Sequence, residues 1–191
     1  MKISVCGLSG SGKTYHAKRI AKEYGLEYVS GSEMLLSVAG LRTTIDLYWV
    51  SADAIQLEKR RLRDLTLDRI ADELLLEMVK AKDGIVVDSW ILPWLYKGSD
   101  LFRIYLDGNL AARARISYES RESKSYSHDE LKSLIKRKDQ VSAEIFNRLY
   151  GVDIFDTSIF NFVINNLDLT ITEASDRIDA AIKSRFALLT K

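Results

Sequence analysis

Residues 7–14 read GLSGSGKT, and this stretch decides the fold. It satisfies the pattern G-x-x-x-x-G-K-[ST], follows a short β-branched run at residues 1–6, and leads into a segment with apolar residues at helical spacing. Glycines allow backbone angles that direct successive N–H groups into one concavity, and the N-terminus of the next helix adds partial positive charge. The motif therefore predicts a strand, a phosphate-binding loop and a helix.

Every position of this loop is a candidate nucleotide-binding residue: Gly7, Leu8, Ser9, Gly10, Ser11, Gly12, Lys13 and Thr14. We expect Lys13 to place its ammonium group on the β- and γ-phosphates of ATP and to be catalytic. We expect Thr14 to offer its hydroxyl to a Mg²⁺ ion between those phosphates. ATP as phosphoryl donor and Mg²⁺ are thus the implied cofactors.

Outward from the loop, apolar runs of strand length alternate with helical patterns. The runs lie at residues 1–6, 27–30, 84–88, 101–106 and 160–164. Five such runs, each leading into helix-like sequence, predict an α/β fold in which a five-stranded parallel sheet has helices on both faces. Capping-box spacings at Ser127/Glu130 and Thr170/Glu173 predict two helix starts.

Asp88 closes one of these apolar strands. Ligands of open parallel sheets bind at the carboxyl ends of strands, so we expect Asp88 to face Thr14. A carboxylate there can hold a water on Mg²⁺ or orient the acceptor, while a helix N-cap is the alternative interpretation. Asp107 follows the next strand, but Gly108 and Asn109 after it favour a turn.

Residues 117–127 read SYESRESKSYS and have no apolar period, which predicts a mobile surface segment that acts as a lid. Arg113, Arg115 and Arg121 flank or lie in it and are candidate catalytic cations for the transferring phosphoryl group. An ordinary charged helix face is the alternative. Because Arg113 and Arg115 are two positions apart, we expect at most one of them to face the site.

Composition bounds the remaining possibilities. The chain has 191 residues, 47% of them hydrophobic, which is enough for one domain, and 28 basic against 27 acidic residues give a net charge of +1. That balance provides no global field for nucleic acid or a membrane surface. No apolar stretch reaches the roughly 20 residues of a membrane span. We therefore expect a cytoplasmic monomer, with the single cysteine buried and His16 on a helix surface.

Taken together, these segments resemble the cytidylate kinases of the nucleoside monophosphate kinase family of P-loop kinases, particularly the archaeal-type branch. The resemblance rests on the phosphate loop, on Leu67-Asp68-Arg69, on YGVDI at residues 150–154, and on Val163-Ile164-Asn165. It implies ATP-dependent phosphoryl transfer to CMP or dCMP by a single domain spanning residues 1–191. It also implies an acceptor-binding region near residues 31–80 and a lid near residues 113–140.

The resemblance implies acceptor contacts from Ser32, Glu33, Arg42, Arg69, Asp88 and Trp90. Three arginines that bind the monophosphate in the family are replaced here, by Leu36, Trp90 and Ile145. Arg42 and Arg69 are in the right region to restore that charge. Trp90 is expected either to stack on a base or to pack in the core.

Two alternatives stay open from the sequence. One is a P-loop kinase with a non-nucleotide small-molecule acceptor, which the replaced arginines suggest. The other is an ATP-binding regulatory protein with little transfer activity, against which the retention of Lys13, Thr14 and Asp88 argues. A GTPase is disfavoured because no Asn-Lys-x-Asp segment for reading guanine occurs in the chain.

Overall fold

The computed structural model describes residues 1–41, 52–119, 126–166 and 169–187. Its strands are β1 (Lys2–Gly7), β2 (Glu27–Ser30), β3 (Ile85–Asp88), β4 (Leu101–Asp107) and β5 (Phe162–Asn165). Its helices are α1 (Lys13–Tyr24), α2 (Gly31–Val38), α3 (Ala52–Arg63), α4 (Thr66–Ala81), α5 (Leu92–Leu95), α6 (Leu110–Glu119), α7 (His128–Tyr150) and α8 (Ile171–Ala187). Most of the predicted lid segment, at residues 120–125, lies outside the described residues.

The strands form one parallel sheet in the order β2-β3-β1-β4-β5. This arrangement confirms the predicted five-stranded parallel sheet, although the last strand begins at Phe162 and not at position 160. Because β1 is central, the phosphate loop leaves the sheet at its middle. Val5 of β1 lies opposite Asp88 of β3, so the carboxyl ends of these two strands are adjacent.

Both faces of the sheet are covered, because side chains alternate between the faces along each strand. One face packs against α1 and α8, whose Ile20 and Ile178 are fully buried in the same cluster as Ile3 of β1. The other face packs against α4 and α7. Leu75 of α4 lies in one cluster with Val87 of β3, and residues of α7 lie in a second cluster with a residue of β4. The two-sided cover confirms the prediction from the apolar, non-alternating strand sequences.

The two predicted capping boxes are both present. The Ser127 hydroxyl accepts from the Glu130 backbone N–H at the start of α7, and the Glu130 carboxylate accepts from the Ser127 N–H in return. Thr170 and Glu173 make the same reciprocal pair at the start of α8. α7 runs for 23 residues from this cap and passes beside the phosphate loop.

Two expectations about single side chains are settled by burial. Cys6 is buried as expected, with Sγ 3.4 Å from the Trp90 carbonyl oxygen. The expectation that His16 lies on the surface is wrong, since the side chain is only 3% exposed. The reason is that α8 packs over this face of α1, where Arg19 pairs with Asp179. Among the described helices, none combines the length and apolar character needed to cross a bilayer.

Candidate active site

The phosphate loop connects β1 to α1 in a conformation that requires glycine. Gly10 and Gly12 have φ angles of 78° and 84°, in the left-handed region that side chains disfavour. A Cβ on Gly10 would also lie 2.9 Å from the Arg113 carbonyl oxygen. The first N–H groups of an α-helix have no intrahelical acceptor, and α1 also begins without a side-chain cap hydrogen bond, so these N–H groups can serve an anion.

Lys13 is the first residue of α1 and is nearly buried, at 9% exposure. Its Nζ lies 3.4 Å from the Leu8 carbonyl oxygen and 5.3 Å from the centroid of the Trp90 ring. The ammonium group is therefore held over the phosphate loop and not in bulk water. Trp90 packs in a core cluster and its ring also contacts the Lys13 ammonium group. Core packing was one of the two roles expected for Trp90, and the contact with Lys13 was not expected.

Thr14 and Asp88 meet as the strand order predicts. Thr14 Oγ1 lies 2.6 Å from Asp88 Oδ2, and Asp88 is 6% exposed at the end of β3. A hydroxyl and a carboxylate are the hard oxygen ligands that Mg²⁺ prefers. Within the described residues, no group of three or more His, Cys, Asp or Glu side chains could hold a metal without other ligands. The pair thus fits a Mg²⁺ ion that takes its remaining ligands from water and nucleotide phosphates.

Arg113 is engaged by the protein itself. Its Nη1 donates to the Ser9 carbonyl oxygen at 2.6 Å and to Asp139 Oδ2 at 2.7 Å, and its Nε donates to the Gly108 carbonyl oxygen at 2.9 Å. Asp139 Oδ1 in turn accepts from the Ser9 N–H at 3.0 Å. Three of the five N–H donors of Arg113 thus bind protein groups that include the phosphate loop, so in this structure Arg113 helps to position the loop. Its catalytic role stays a prediction. Asp139 was not found from the sequence.

The other two predicted lid arginines differ in what the structure says of them. Arg115 is exposed and lies 3.5 Å from Glu119, one turn farther along α6. It lines a cavity of about 580 Å³ beside the phosphate loop, with Lys13, Thr14 and Asn166 also on the wall. This cavity is large enough for a nucleotide, and Arg115 is on its wall. Arg121 lies outside the described residues.

A second cavity has Trp90 in its wall. Four helices and the segment after β3 contribute its lining, which is Gly31, Ser32, Leu35, Arg61, Asp68, Ala71, Asp72, Ser89, Trp90, Ile91, Lys138, Ser142 and Phe146. It lies where the acceptor-binding region was predicted. Its charged side chains are buried or partly buried, so the charge that they present to a ligand is weakly screened.

Two cations in this cavity were missed from the sequence. Arg61 of α3 forks onto Asp68 of α4, with Nε 3.1 Å and 3.0 Å from the two carboxylate oxygens, and both side chains are under 5% exposed. Lys138 of α7 lies near Lys13 and Arg61, and burial together with these two positive charges lowers the pKa of its ammonium to about 7. A signal existed, because Lys138 and Asp139 interrupt the apolar stripe that includes Ile135.

The predicted acceptor residues are divided by the structure. Ser32 and Trp90 line the second cavity, and Asp88 immediately precedes it in sequence. Glu33 and Arg69 are exposed and do not line it. Arg69 was predicted to contact the acceptor, but Asp68 and Asp72 of α4 line this cavity instead. Successive residues of a helix are about 100° apart, so Arg69 faces a different direction from Asp68. Arg42 lies outside the described residues.

Packing accounts for two of the positions where this chain lacks an arginine of the family. Leu36 and Ile145 are 1% and 0% exposed and belong to apolar clusters, where a guanidinium would be desolvated. The chain has thus filled these positions with core side chains. Arg61 and Lys138 line the cavity instead, and the charge of Arg61 is already compensated by Asp68.

The central β1–loop–α1 unit, with a carboxylate from the adjacent strand, defines a P-loop nucleotide-binding protein. The sequence profile of the Cytidylate kinase-like family matches residues 2–168, and the chain belongs to that family, which confirms the predicted membership. A cytidylate kinase from Sulfolobus acidocaldarius is 31% identical over 185 residues, covering 97% of this chain and 96% of that one. A cytidylate kinase from Desulfurococcus amylolyticus is 31% identical over 182 residues, covering 95% and 92%.

The solved structures support the fold class. A gluconokinase from Sinorhizobium meliloti superposes with a TM-score of 0.61, covering 99% of this chain and 95% of that one. Its sequence identity is 16%, so this likeness concerns the fold alone. Together with the sheet order, it confirms the predicted P-loop kinase fold.

Proposed function

We propose that the protein catalyses ATP-dependent phosphoryl transfer to CMP or dCMP. The observation that carries the proposal is the position of Lys13, which lines the nucleotide-sized cavity and also contacts Trp90, a wall of the second cavity, at 5.3 Å. A donor in one cavity and an acceptor in the other would thus meet at the phosphate loop. Membership of the cytidylate kinase-like family supports the choice of acceptor.

The donor is bound chiefly by the phosphate loop. Backbone N–H groups at the start of α1 and the Lys13 ammonium neutralise the triphosphate, while the larger cavity beside Arg115 and Asn166 receives the nucleoside. The Arg113–Asp139 pair fixes the backbone of Ser9 within this loop. The loop is therefore arranged before ATP arrives, which lowers the reorganisation cost of transfer.

In the transfer step, a phosphate oxygen of CMP attacks the γ-phosphorus of ATP. A new P–O bond forms as the bond to the β,γ-bridging oxygen breaks, which gives CDP and ADP. The acceptor phosphate is already ionised at neutral pH, so no strong general base is required. Lys13 and Lys138 neutralise charge on the oxygens of the transferring and accepting groups, which is the main catalytic contribution in such reactions.

Thr14 and Asp88 are the residues that would hold Mg²⁺, Thr14 directly through its hydroxyl and Asp88 through a bound water. The ion supplies charge neutralisation between the β- and γ-phosphates when it is bound. The Thr14–Asp88 hydrogen bond of 2.6 Å keeps the two oxygens next to each other beside the loop. In addition, Asp88 closes β3, so its backbone cannot move without disturbing the sheet.

The cations of the second cavity favour a monophosphate over an uncharged acceptor. Burying a phosphate dianion without positive partners would cost several kcal/mol. Arg61 is already paired with Asp68, so Lys138 is the cation that would face the phosphate, and a bound dianion favours the charged form of Lys138. The cavity holds only about 40 Å³ here, so its walls must separate for a nucleoside to enter. Since one chain builds both cavities, we further propose that the enzyme acts as a monomer. We also propose that it is cytoplasmic, as its composition led us to expect.

A panel of acceptors tests the proposal. ADP release from Mg-ATP would be measured with CMP, dCMP, UMP, AMP and GMP, and with shikimate and gluconate as non-nucleotide acceptors. We expect CMP or dCMP to give the highest kcat/KM. Turnover of a non-nucleotide acceptor without turnover of any monophosphate would replace the proposal by the alternative kinase.

A further inference from the structure

The Lys13 ammonium group lies against an aromatic ring. Its Nζ is 5.3 Å from the centroid of the Trp90 indole, a distance at which a ring face attracts a cation. Nζ also donates to the Leu8 carbonyl oxygen at 3.4 Å. Within the part of the chain that the structure describes, Lys13 makes no ion pair with a carboxylate. An ammonium group has three N–H donors, so one carbonyl holds it incompletely and the indole face is the second contact.

Lys2 provides a comparison within the same protein. Its Nζ lies 5.3 Å from the centroid of the Tyr96 ring, but it also lies 3.0 Å from the Asp100 carboxylate. That carboxylate compensates the charge of Lys2, whereas the Trp90 ring attracts Lys13 without carrying a net charge. The Lys13 ammonium group is therefore held without a paired negative charge, so its charge remains available to an anionic ligand.

The backbone around Trp90 is fixed by the sheet. The Ser89 N–H donates to the Val5 carbonyl oxygen at 3.3 Å, so the pairing with β1 continues past the end of β3. The Cys6 thiol donates to the Trp90 carbonyl oxygen at 3.4 Å. The indole itself packs in a core cluster, where close packing keeps it from turning. Trp90 is thus a rigid support for a flexible lysine side chain.

Burial strengthens this contact. Lys13 and Trp90 are each 9% exposed, so little water competes with the ring for the ammonium group. Cation–π attraction is larger when its partners are desolvated, and tryptophan is the most favourable ring for it. A free lysine side chain samples many rotamers, and ordering it when a ligand binds costs affinity. A lysine that is already held avoids that cost.

The pair lies where the two cavities meet, because Lys13 lines the nucleotide-sized cavity and Trp90 lines the second one. We propose that Trp90 is a positioning residue, whose indole face holds the Lys13 ammonium group over the phosphate loop before ATP binds. The ring orders the cation without neutralising it, so the phosphates meet a charge that is already in place. This inference rests on the ATP-binding part of the proposed function.

Ring fluorination tests the inference, because fluorine withdraws electron density from the ring face and changes the size of the ring little. Tryptophan with one, two or three ring fluorines would be incorporated at position 90 alone, and the Kd for Mg-ATP would be measured by calorimetry. The same series would be made in Lys13→Met, where no ammonium group remains. Trp94, also 9% exposed in the same cluster, would receive the series as the matched control.

We expect the Kd for Mg-ATP to rise with each fluorine at position 90, by about 3- to 10-fold over the series, which corresponds to ordering one long side chain. In Lys13→Met the series should have no effect, and the series at position 94 should have none. Trp90→Leu should bind Mg-ATP about 10-fold more weakly than the wild type, and Trp90→Phe should lose less, since phenylalanine keeps a ring face. The kcat with CMP should fall in the same order, because a displaced ammonium group misses the transferring group.

Three results would overturn the inference. They are a Kd that stays constant across the series at position 90, a Kd that falls with fluorination, and an equal change in Lys13→Met. The fluorinated chains keep the ring in the core, so the test does not depend on whether Trp90→Leu folds. A wild-type protein that binds Mg-ATP but does not phosphorylate CMP would contradict the proposed acceptor alone. If the wild type does not bind Mg-ATP, the donor assignment and this inference fall together.

Discussion

The Arg113 guanidinium and the Asp139 carboxylate form a buried ion pair, with 2.7 Å between Nη1 and Oδ2, and both also hydrogen-bond the Ser9 backbone. α6 and α7 thus hold the phosphate loop through the backbone of Ser9. Side-chain exposures of 5% and 7% leave little solvent to compensate either charge if its partner is removed.

The first prediction concerns this pair. Arg113→Leu and Asp139→Leu should each lower the free energy of unfolding by about 3–5 kcal/mol, because each leaves an uncompensated buried charge. The double variant should be less destabilised than the sum of the two. Urea denaturation measures all three. The exposed pair gives the control, since Arg115→Leu should cost under about 1 kcal/mol. Single-variant losses no larger than that control would remove the positioning role.

A second prediction concerns the Thr14–Asp88 hydrogen bond of 2.6 Å. Asp88→Asn removes the carboxylate charge without changing the side-chain shape, so we expect kcat to fall about 100-fold or more and the Mg²⁺ concentration for half-maximal activity to rise. Initial rates across a Mg²⁺ titration measure both. Asp107→Asn, at the end of β4 and exposed, is the control and should keep its Mg²⁺ dependence. An unchanged Mg²⁺ dependence in Asp88→Asn would contradict the metal assignment.

The third prediction separates the acceptor phosphate from the donor. Lys138→Met should raise the KM for CMP about 10-fold or more and leave the KM for ATP nearly unchanged, because a buried charged contact to the acceptor is lost. Lys138→Arg keeps a positive charge and should recover most of the affinity. Steady-state kinetics with each substrate varied in turn provide the measurement.

Lys136→Met is the matched control for Lys138, since Lys136 is exposed on the same helix. Its acceptor KM should equal that of the wild type. A rise in the KM for ATP, with no rise for CMP, would show that Lys138 belongs to the donor site and not to the acceptor cavity.

The fourth prediction is a pH dependence of stability from His16. Burial and the nearby Arg19 charge lower the pKa of this imidazole from 6.5 to about 4. Between these values the unfolded chain binds more protons than the folded one, so stability falls as the pH decreases from about 6.5 toward 4, by about 3 kcal/mol in all.

Urea denaturation at several pH values tests the His16 contribution. His16→Leu should lose less stability than the wild type between pH 7 and pH 5, since no buried group must then be charged. His128→Gln, at the exposed start of α7, should behave like the wild type. Identical pH slopes in wild type and His16→Leu would contradict the buried, neutral state of the imidazole.

The fold and the donor half of the site could be predicted because their signals are local in sequence. The phosphate loop needs its glycines, lysine and threonine at consecutive positions, and Asp88 ends a strand whose apolar run is unmistakable. The capping boxes are equally local. None of these depends on how one helix is rotated against another.

The acceptor half depends on helix rotation, and there the sequence was insufficient. Leu67-Asp68-Arg69 pointed to Arg69, but packing of α4 turns Asp68 and Asp72 to the cavity and leaves Arg69 exposed. Likewise, α6 turns Arg113 inward onto Asp139, a residue without any motif of its own. Which face of a helix is buried follows from long-range contacts, and a single sequence does not specify those contacts.

Transfer of radiolabel from [γ-³²P]ATP to CMP, in wild type and Lys13→Ala, tests the central claim most directly. We predict labelled CDP from the wild-type enzyme and at least about 1,000-fold less from a folded Lys13→Ala variant, because the ammonium group over the phosphate loop is removed. Lys22→Ala, exposed in the last turn of α1, should match the wild type. Labelled CDP from Lys13→Ala at the wild-type rate, or none from the wild-type enzyme, would contradict the account.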